Sequence, residues 1–233
     1  MGRDFKQVWS CGGGTQSAAI AALIVQGRLE KPDVAVIVDT EREKQSTWDY
    51  YNKTLVPQLS KVGVDLVRVM KSQFATVDMV STNGKILLPG YTIIDGKQVK
   101  QPGWCSNEWK KRVVQRYIRS LGIKNCYNWL GISTDEMKRV RQSTELNWQN
   151  RYPLVFDVPM NRTQCIELVR KIGWPTPPRS SCWMCPNMGE EEIFDLPMEE
   201  IDKRIELEKE LRVIDPDFRL EKSDGCSEGM CFV

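Results

Sequence analysis

Between Gln7 and Val25 the chain sets out three pieces in order. A short apolar run, Gln7-Val8-Trp9, leads into a glycine turn, Ser10-Cys11-Gly12-Gly13-Gly14-Thr15-Gln16-Ser17. That turn opens into a strong helix former, Ala18-Ala19-Ile20-Ala21-Ala22-Leu23-Ile24-Val25. Strand, glycine turn and helix together place bare backbone N–H groups and a helix N-terminus where a phosphate can sit. Glycines lack the Cβ that would hold an anion away, and Ser10, Thr15 and Ser17 add hydroxyls at the same spot. The same triplet also serves as a plain tight turn, so the loop alone leaves both readings open.

The following residues repeat the pattern. The first helix is expected from Gln16 to Gln26, stopped by Gly27 as its C′ residue. Asp33 to Thr40 is a continuous apolar run ending in Asp39, which suits a parallel strand covered on both faces. Ser46 to Val62 reads as a helix kinked or ended at Pro57, and Val64 to Val69 as a third strand. The βαβαβ order predicts a parallel sheet with right-handed crossovers. Ligands of such sheets bind beyond the carboxyl ends of the strands, where the glycine loop and Asp39 both belong. Asp39 can accept from a ribose or base there, or serve as a helix cap.

Glycine and proline pairs punctuate Thr82 to Gly103, which suggests a hairpin excursion. A basic helix follows, with Lys110, Lys111, Arg112, Arg116 and Arg119 available to phosphates or to solvent. Asn125 to Ile132 is a fourth parallel strand, and Ser133-Thr134-Asp135-Glu136-Met137-Lys138-Arg139-Val140-Arg141 stands at its carboxyl end. Arg139 and Arg141 suit bidentate phosphate contacts, while Asp135 and Glu136 suit Mg²⁺ beside phosphates; a surface helix start is the alternative. Asn161 to Gln164 forms a capping-box pattern for a helix ending at Gly173. Trp174 to Pro178 is a stiff linker, and 189–212 is a charged helical pair broken near Pro197.

The chain has 233 residues, a net charge of +2 and no histidine. That charge is too small to require a nucleic-acid or membrane surface. No apolar run approaches the ~20 residues of a membrane span, and the first residues carry no secretory pattern, so a cytoplasmic protein is expected. Without histidine, a metal must be held by cysteine or carboxylate. Of the eight cysteines, Cys182-x-x-Cys185 places two thiolates within reach of one metal, with Cys105, Cys226 and Cys231 as further candidates. Cys126 and Cys165 sit among apolar residues and read as buried small hydrophobes, and Cys11 as a reactive thiol or a small turn residue. Zinc, an iron–sulfur cluster and a metal-free dithiol all remain open on spacing.

The chain resembles the PP-loop, or adenine-nucleotide α-hydrolase-like, superfamily. Its nearest branch is the phosphoadenosine-phosphosulfate (PAPS) reductase-like proteins, especially the short phage and prophage versions. The likeness rests on Ser10 to Ser17, Val38-Asp39-Thr40-Glu41, Cys105 with Lys110, Gly131 to Glu136, Arg151-Tyr152-Pro153-Leu154, Cys182-x-x-Cys185-Pro186 and the tail Cys226 to Cys231. It implies a Rossmann-like α/β fold, a parallel sheet with helices on both faces, plus a small cysteine-containing C-terminal helical region. The expected division is a nucleotide-binding domain over 1–174 and an extension over 175–233 that packs on the active site. The resemblance implies ATP, or PAPS or adenylyl-sulfate, as the bound nucleotide, with Mg²⁺. Ser10, Gly12, Gly13, Gly14, Thr15, Gln16, Ser17, Lys110, Gly131 and Arg141 would contact that nucleotide, with Asp39 and Thr40 near the nucleoside. Asp135 and Arg139 would act at the phosphates.

Two activities follow from the likeness. One is cleavage of the α–β phosphate bond with adenylation of a small molecule or nucleobase, followed by sulfur transfer. The other is adenylyl-sulfate reduction, with Cys226 or Cys231 attacking sulfur. A zinc-stapled nucleotide-binding protein without turnover is the non-enzymatic alternative. Thr15-Gln16 departs from the x-Asp of the synthetases, and Trp104-Cys105 from the Cys-Cys pair of cluster-bearing reductases. Cys105, Cys182 and Cys185, with a fourth from the tail (Cys231 or Cys226) or none, are the implied ligands of a 4Fe-4S cluster, zinc being the alternative. A homodimer acting in a cytoplasm, that of a phage host included, is compatible with all of this.

Overall fold

The apolar runs at 7–9, 33–40, 64–69 and 125–132 become strands of one parallel sheet. The computed structural model describes residues 5–222; Cys226 and Cys231 lie outside them. Strands β1 (Lys6–Cys11), β2 (Val34–Asp39) and β3 (Leu66–Met70) are joined through helices α1 (Thr15–Val25), α2 (Gln45–Tyr50) and α3 (Val56–Ser60). After β3 come α4 (Lys71–Phe74), the antiparallel pair β4 (Tyr91–Ile94) and β5 (Lys97–Lys100), and α5 (Arg112–Ser120). Then follow β6 (Cys126–Leu130), β7 (Trp148–Arg151), α6 (Arg162–Lys171), α7 (Glu190–Phe194) and α8 (Met198–Leu211). The sheet order is β3-β2-β1-β6-β7 with every pair parallel. The fold is α/β and Rossmann-like.

The chain divides into two compact units, one made of residues 5–74 and Arg112–Ser180, the other of Ala75–Lys111 and residues 181–222. The first holds the sheet. Strand alternation sends Trp9, Ala35, Ile37 and Trp129 to one face, where they join Ile20, Leu23, Leu55, Cys165 and Val169 in a continuous core. Trp9 and Trp129 are fully buried. A side chain of that size removes about 150–250 Å² from water, on the order of 4–6 kcal/mol of transfer free energy. Val8, Val36 and Val38 bury on the opposite face, and α5 packs against β2. Cys126 and Cys165, at 1% and 0% exposure, are core residues, as their apolar neighbours in sequence suggest.

Two local readings change. Pro57 does not end its helix: Tyr51–Leu55 widens into a π-helical turn, and Val56 N–H reaches back to the Tyr51 carbonyl. The wider turn accommodates the proline ring and its missing N–H without breaking the run. Strand β7, Trp148-Gln149-Asn150-Arg151, is an edge strand with a single neighbour and carries no apolar run.

The second unit has its own core of Met79, Leu88, Trp109, Met184, Leu207, Leu211, Phe218 and Leu220, against which Cys105, Cys182 and Trp183 pack. Its β4–β5 hairpin turns through Asp95 and Gly96, with φ of 52° and 72°, the left-handed pair that a tight two-residue hairpin needs. Arg219 pairs with Tyr91 across its backbone, closing the unit between its two chain segments.

Candidate functional site

The order in which strands are added reverses at the middle of the sheet. From β1 the chain winds through β2 to β3 on one side, while β6 and β7 occupy the other. The crevice beyond the carboxyl ends of β1 and β6 is the switch point at which such sheets bind ligands. The glycine loop leaves β1 there and Gly131 leaves β6. The two approach so closely that a Cβ on Gly131 would lie 3.3 Å from the Gln16 Cβ and 3.5 Å from the Ser17 N.

The loop is held by its own atoms. Gly12 N–H donates to Ser17 Oγ at 2.8 Å, and Gly13 has a φ of 72°. Gly14 is the N-cap of α1, with no side chain capping the helix and no acidic residue in its first turn. The positive end of the α1 dipole is therefore left uncancelled. Glycine is also required here by protein neighbours. A Cβ on Gly13 would sit 2.8 Å from Thr47 Cγ2, and one on Gly14 2.7 Å from Ser180 Oγ. Thr15 and Thr47, each 1% exposed, bury hydroxyls that have no hydrogen-bond partner. A buried hydroxyl without a partner is costly in a folded protein. Two of them lie beside a helix start that no side chain caps.

Around this centre the expected residues take distinct places. Ser10 Oγ donates to Asn128 Oδ1 at 2.6 Å, tying β1 to β6. Gln16 Nε2 donates to Ser133 Oγ at 3.2 Å and to Glu136 Oε2 at 3.0 Å, which links the loop to the end of β6. Asp39 is buried, takes the Arg68 Nε–H at 3.0 Å and accepts from the Glu41 N–H at 2.6 Å. Arg68 in turn stacks over Trp48, 3.8 Å from the ring centroid. Thr40 is buried beside Asp39. Arg139 pairs with Glu136, and Arg141 is held by the carbonyls of Lys138 and Val140. The Asp135 carboxylate accepts from Arg162 N–H at 3.2 Å, at the start of α6. A hydrogen bond from Ser133 lowers its pKa; desolvation opposes this, and the Asp135 and Arg162 N–H groups and the Arg162 charge add to the lowering.

At the carboxyl ends of β2 and β3 the sequence reading included Glu41 but missed Glu43, Lys44, Thr47 and Lys71. Glu41 adopts a φ of 62°, a left-handed conformation that non-glycine residues rarely hold. Lys71 is buried and lies 3.7 Å from the Glu41 carboxylate. Glu43, Lys44 and Thr47 are buried as well. Charged and polar residues buried at the ligand end of a sheet are a signal of a site, but only burial reveals it, since the stretch reads as a solvated loop.

Cys11 lies within the loop, yet burial pushes its thiol up to about 11, only partly offset by hydrogen bonds from Gly13 and Ser17. It stays protonated near neutrality, which fits a small turn residue and not a nucleophile.

The remaining thiols and Lys110 belong to the second unit. Cys105 and Cys185 are close enough that a charge on Cys185 raises the Cys105 pKa; burial is the larger cause, and the Ser106 N–H and Lys110 oppose both. Cys185 N–H donates to the Cys182 carbonyl at 3.0 Å, forming a tight turn between the pair. Among the described residues no three His, Cys, Asp or Glu side chains are placed to hold a metal ion. Cys105, Cys182 and Cys185 thus have the soft donors that suit iron or zinc without forming a ligand set by themselves.

No protein-family model matches the chain, and no curated protein matches it either. Among solved structures it is similar to the U34-tRNA thiolase NcsA from Methanococcus maripaludis with its 4Fe-4S cluster. The identity is 10%, over 92% of this chain and 67% of that one, with a TM-score of 0.49. No helix among the described residues is long and apolar enough to cross a membrane.

Proposed function

We propose that the chain is an adenine-nucleotide enzyme that binds ATP at the β1–α1 loop, cleaves its α–β phosphate bond and adenylates an acceptor. The observation that carries this reading is the uncapped α1 N-terminus with the partnerless Thr15 and Thr47 hydroxyls, set at the central switch point of a parallel sheet. Ser10 to Ser17 contains no lysine. The loop therefore lacks the cation that reaches the β- and γ-phosphates in loops built for γ-phosphoryl transfer. A cradle of N–H and O–H groups suits a leaving pyrophosphate, which the resemblance to PP-loop proteins also implies.

In the step, an acceptor oxygen attacks the α-phosphorus and the bond to the bridging oxygen breaks. Pyrophosphate leaves with the electron pair, and the acceptor's proton passes to solvent. The loop amides, the α1 dipole and the two hydroxyls stabilise the negative charge that grows on the leaving group. Gln16, fixed to Ser133 and Glu136, keeps the loop in register with the end of β6. Mg²⁺ would enter with the nucleotide, as Glu136 is paired with Arg139 and Asp135 is bonded at α6. The second unit enters as a source of thiols. Its described residues do not fit a cluster on their own, and no step runs through one.

The test is product analysis with ATP and a panel of small-molecule and nucleobase acceptors. AMP-linked acceptor with one pyrophosphate per turnover supports the reading. ADP with inorganic phosphate overturns it, as does the absence of ATP binding.

A further inference from the structure

The stiff linker that follows α6, Trp174-Pro175-Thr176-Pro177-Pro178-Arg179-Ser180, ends against the glycine loop. Its freedom is small. Each of its three prolines fixes its own φ and restricts the residue before it. Trp174 is buried in the core of the first unit, and its N–H donates to the Val169 carbonyl at 3.1 Å. Arg170 Nε donates to Thr176 Oγ1 at 2.9 Å, so α6 grips the middle of the run, and Pro177 is buried. The residue this strap carries to its end is Ser180.

Ser180 stands at the start of α1. A Cβ on Gly14 would lie 2.7 Å from Ser180 Oγ and 3.4 Å from Ser180 N, and one on Gly13 3.9 Å from Ser180 Cβ. Gly14 is the N-cap residue, and its carbonyl takes the first helical bond, from the Ala18 N–H at 2.9 Å. The N–H groups of Thr15, Gln16 and Ser17 precede that ladder and need acceptors from elsewhere. Serine is among the side chains that best supply one, yet no side chain caps α1. The Ser180 N–H and hydroxyl are not bonded to any other described residue either. Thr47, whose Cγ2 would lie 2.8 Å from a Cβ on Gly13, and Thr15 add buried hydroxyls with no partner to the same glycines. A helix start and a serine that approach without bonding one another offer their donors to a shared third group. A polyphosphate, with several oxygens on each phosphorus, satisfies such a set at once.

We propose that Ser180 is a phosphate-binding residue of the nucleotide site, donating its N–H and hydroxyl to the pyrophosphate half of ATP. The assignment rests on the reading of the glycine loop as the ATP cradle, and adds to that cradle a wall supplied by the linker. The test is isothermal titration of the full chain with MgATP and with magnesium pyrophosphate, alongside thermal melting. Ser180→Ala removes the hydroxyl and keeps the N–H. It is expected to weaken both ligands about tenfold with an unchanged melting temperature. Ser180→Asp separates binding from folding more sharply. A carboxylate beside the α1 N-terminus complements the helix dipole, so the melting temperature should hold or rise. Its charge repels phosphate, so neither ligand should bind detectably. Affinity equal to the parent's in either variant overturns the proposal and leaves the glycine-loop reading standing, as does a melting temperature that falls in step with affinity. A parent chain that binds neither ligand overturns both.

Discussion

The two compact units collect their reactive groups by opposite means. In the first, polar atoms are gathered by regular structure. Parallel strands end together, so the β1–α1 loop, Gly131 and the buried side chains after β2 and β3 meet at one edge. In the second, Cys105 comes from one chain segment and Cys182 and Cys185 from another, brought together by a small core and loops. The first site presents the buried Thr15 and Thr47 hydroxyls with no partner. The second presents thiols that the described residues do not complete into a ligand set. A periodic scaffold fixes a site through backbone geometry, whereas an irregular one depends on which side chains its core pins.

The sharpest way to break this contrast is at the glycine loop. Gly13→Val places a β-branched residue at a φ of 72° with its Cβ 2.8 Å from Thr47 Cγ2. Strain of this kind costs on the order of 1–3 kcal/mol, so the melting temperature should fall and isothermal titration should detect no ATP binding. Retained ATP affinity would mean that the backbone of this loop is not the nucleotide cradle. The matching test of the second unit is metal content after anaerobic purification. No three described residues form a ligand set, and we propose that Cys226 or Cys231 completes one. Cys226→Ser with Cys231→Ser should therefore lose as much metal as Cys182→Ser, with ATP affinity unchanged in both. Full metal retention in the double variant would mean that the second unit completes its own site.

Legibility in the sequence follows the same division. Strands β1, β2 and β6, in the interior of the sheet, and the edge strand β3 were readable from their apolar runs, and Gly27, Gly122 and Gly173 each stop a helix at a positive φ. The Asn161–Gln164 capping box is present as written. Strand β7 was not readable, since Gln149-Asn150-Arg151 carries no hydrophobic signal. Within the site, the glycine loop announced itself, but Thr47 and Ser180 did not. Their role comes from approaching Gly13 and Gly14 across long stretches of chain. Asp39 shows the converse. Its position was predictable, yet its engagement by Arg68, which stacks on Trp48, depends on three elements meeting.

A gentler probe separates binding from folding at the loop. Thr15→Val keeps the side-chain shape and removes a buried hydroxyl that has no partner. Relieving such a group should raise stability by up to about 1 kcal/mol, while losing a hydrogen bond to phosphate should weaken ATP about tenfold. A parallel fall in stability and affinity would assign the hydroxyl a structural role instead. The buried thiols give a pH test of the same scaffold. Burial raises Cys11 to about 11 and Cys126 and Cys165 to about 12. The folded state therefore keeps protons that the unfolded state releases above the ordinary thiol value, and stability should decline as pH rises beyond about 9. Alkylation of the native chain at pH 8 should label none of the three; rapid labelling of Cys11 would show that the loop opens.

The smallest expected effect decides what Asp135 does. Its carboxylate bonds the Arg162 N–H at the start of α6, and hydrogen bonds from Ser133 and nearby N–H groups lower its pKa. Stability from this source is present above the ordinary carboxylate range and is lost as pH falls through the lowered value. Asp135→Asn keeps an oxygen for the helix start but removes the charge, so the cost should be about 0.5–1 kcal/mol at neutral pH and should vanish in acid. Denaturant unfolding at two pH values measures that difference. If Asp135 only anchors α6, pyrophosphate release by Asp135→Asn stays close to that of the parent. A drop of about tenfold or more with unchanged stability would move it to the phosphates, and the end of β6 would then supply charge as well as register to the loop.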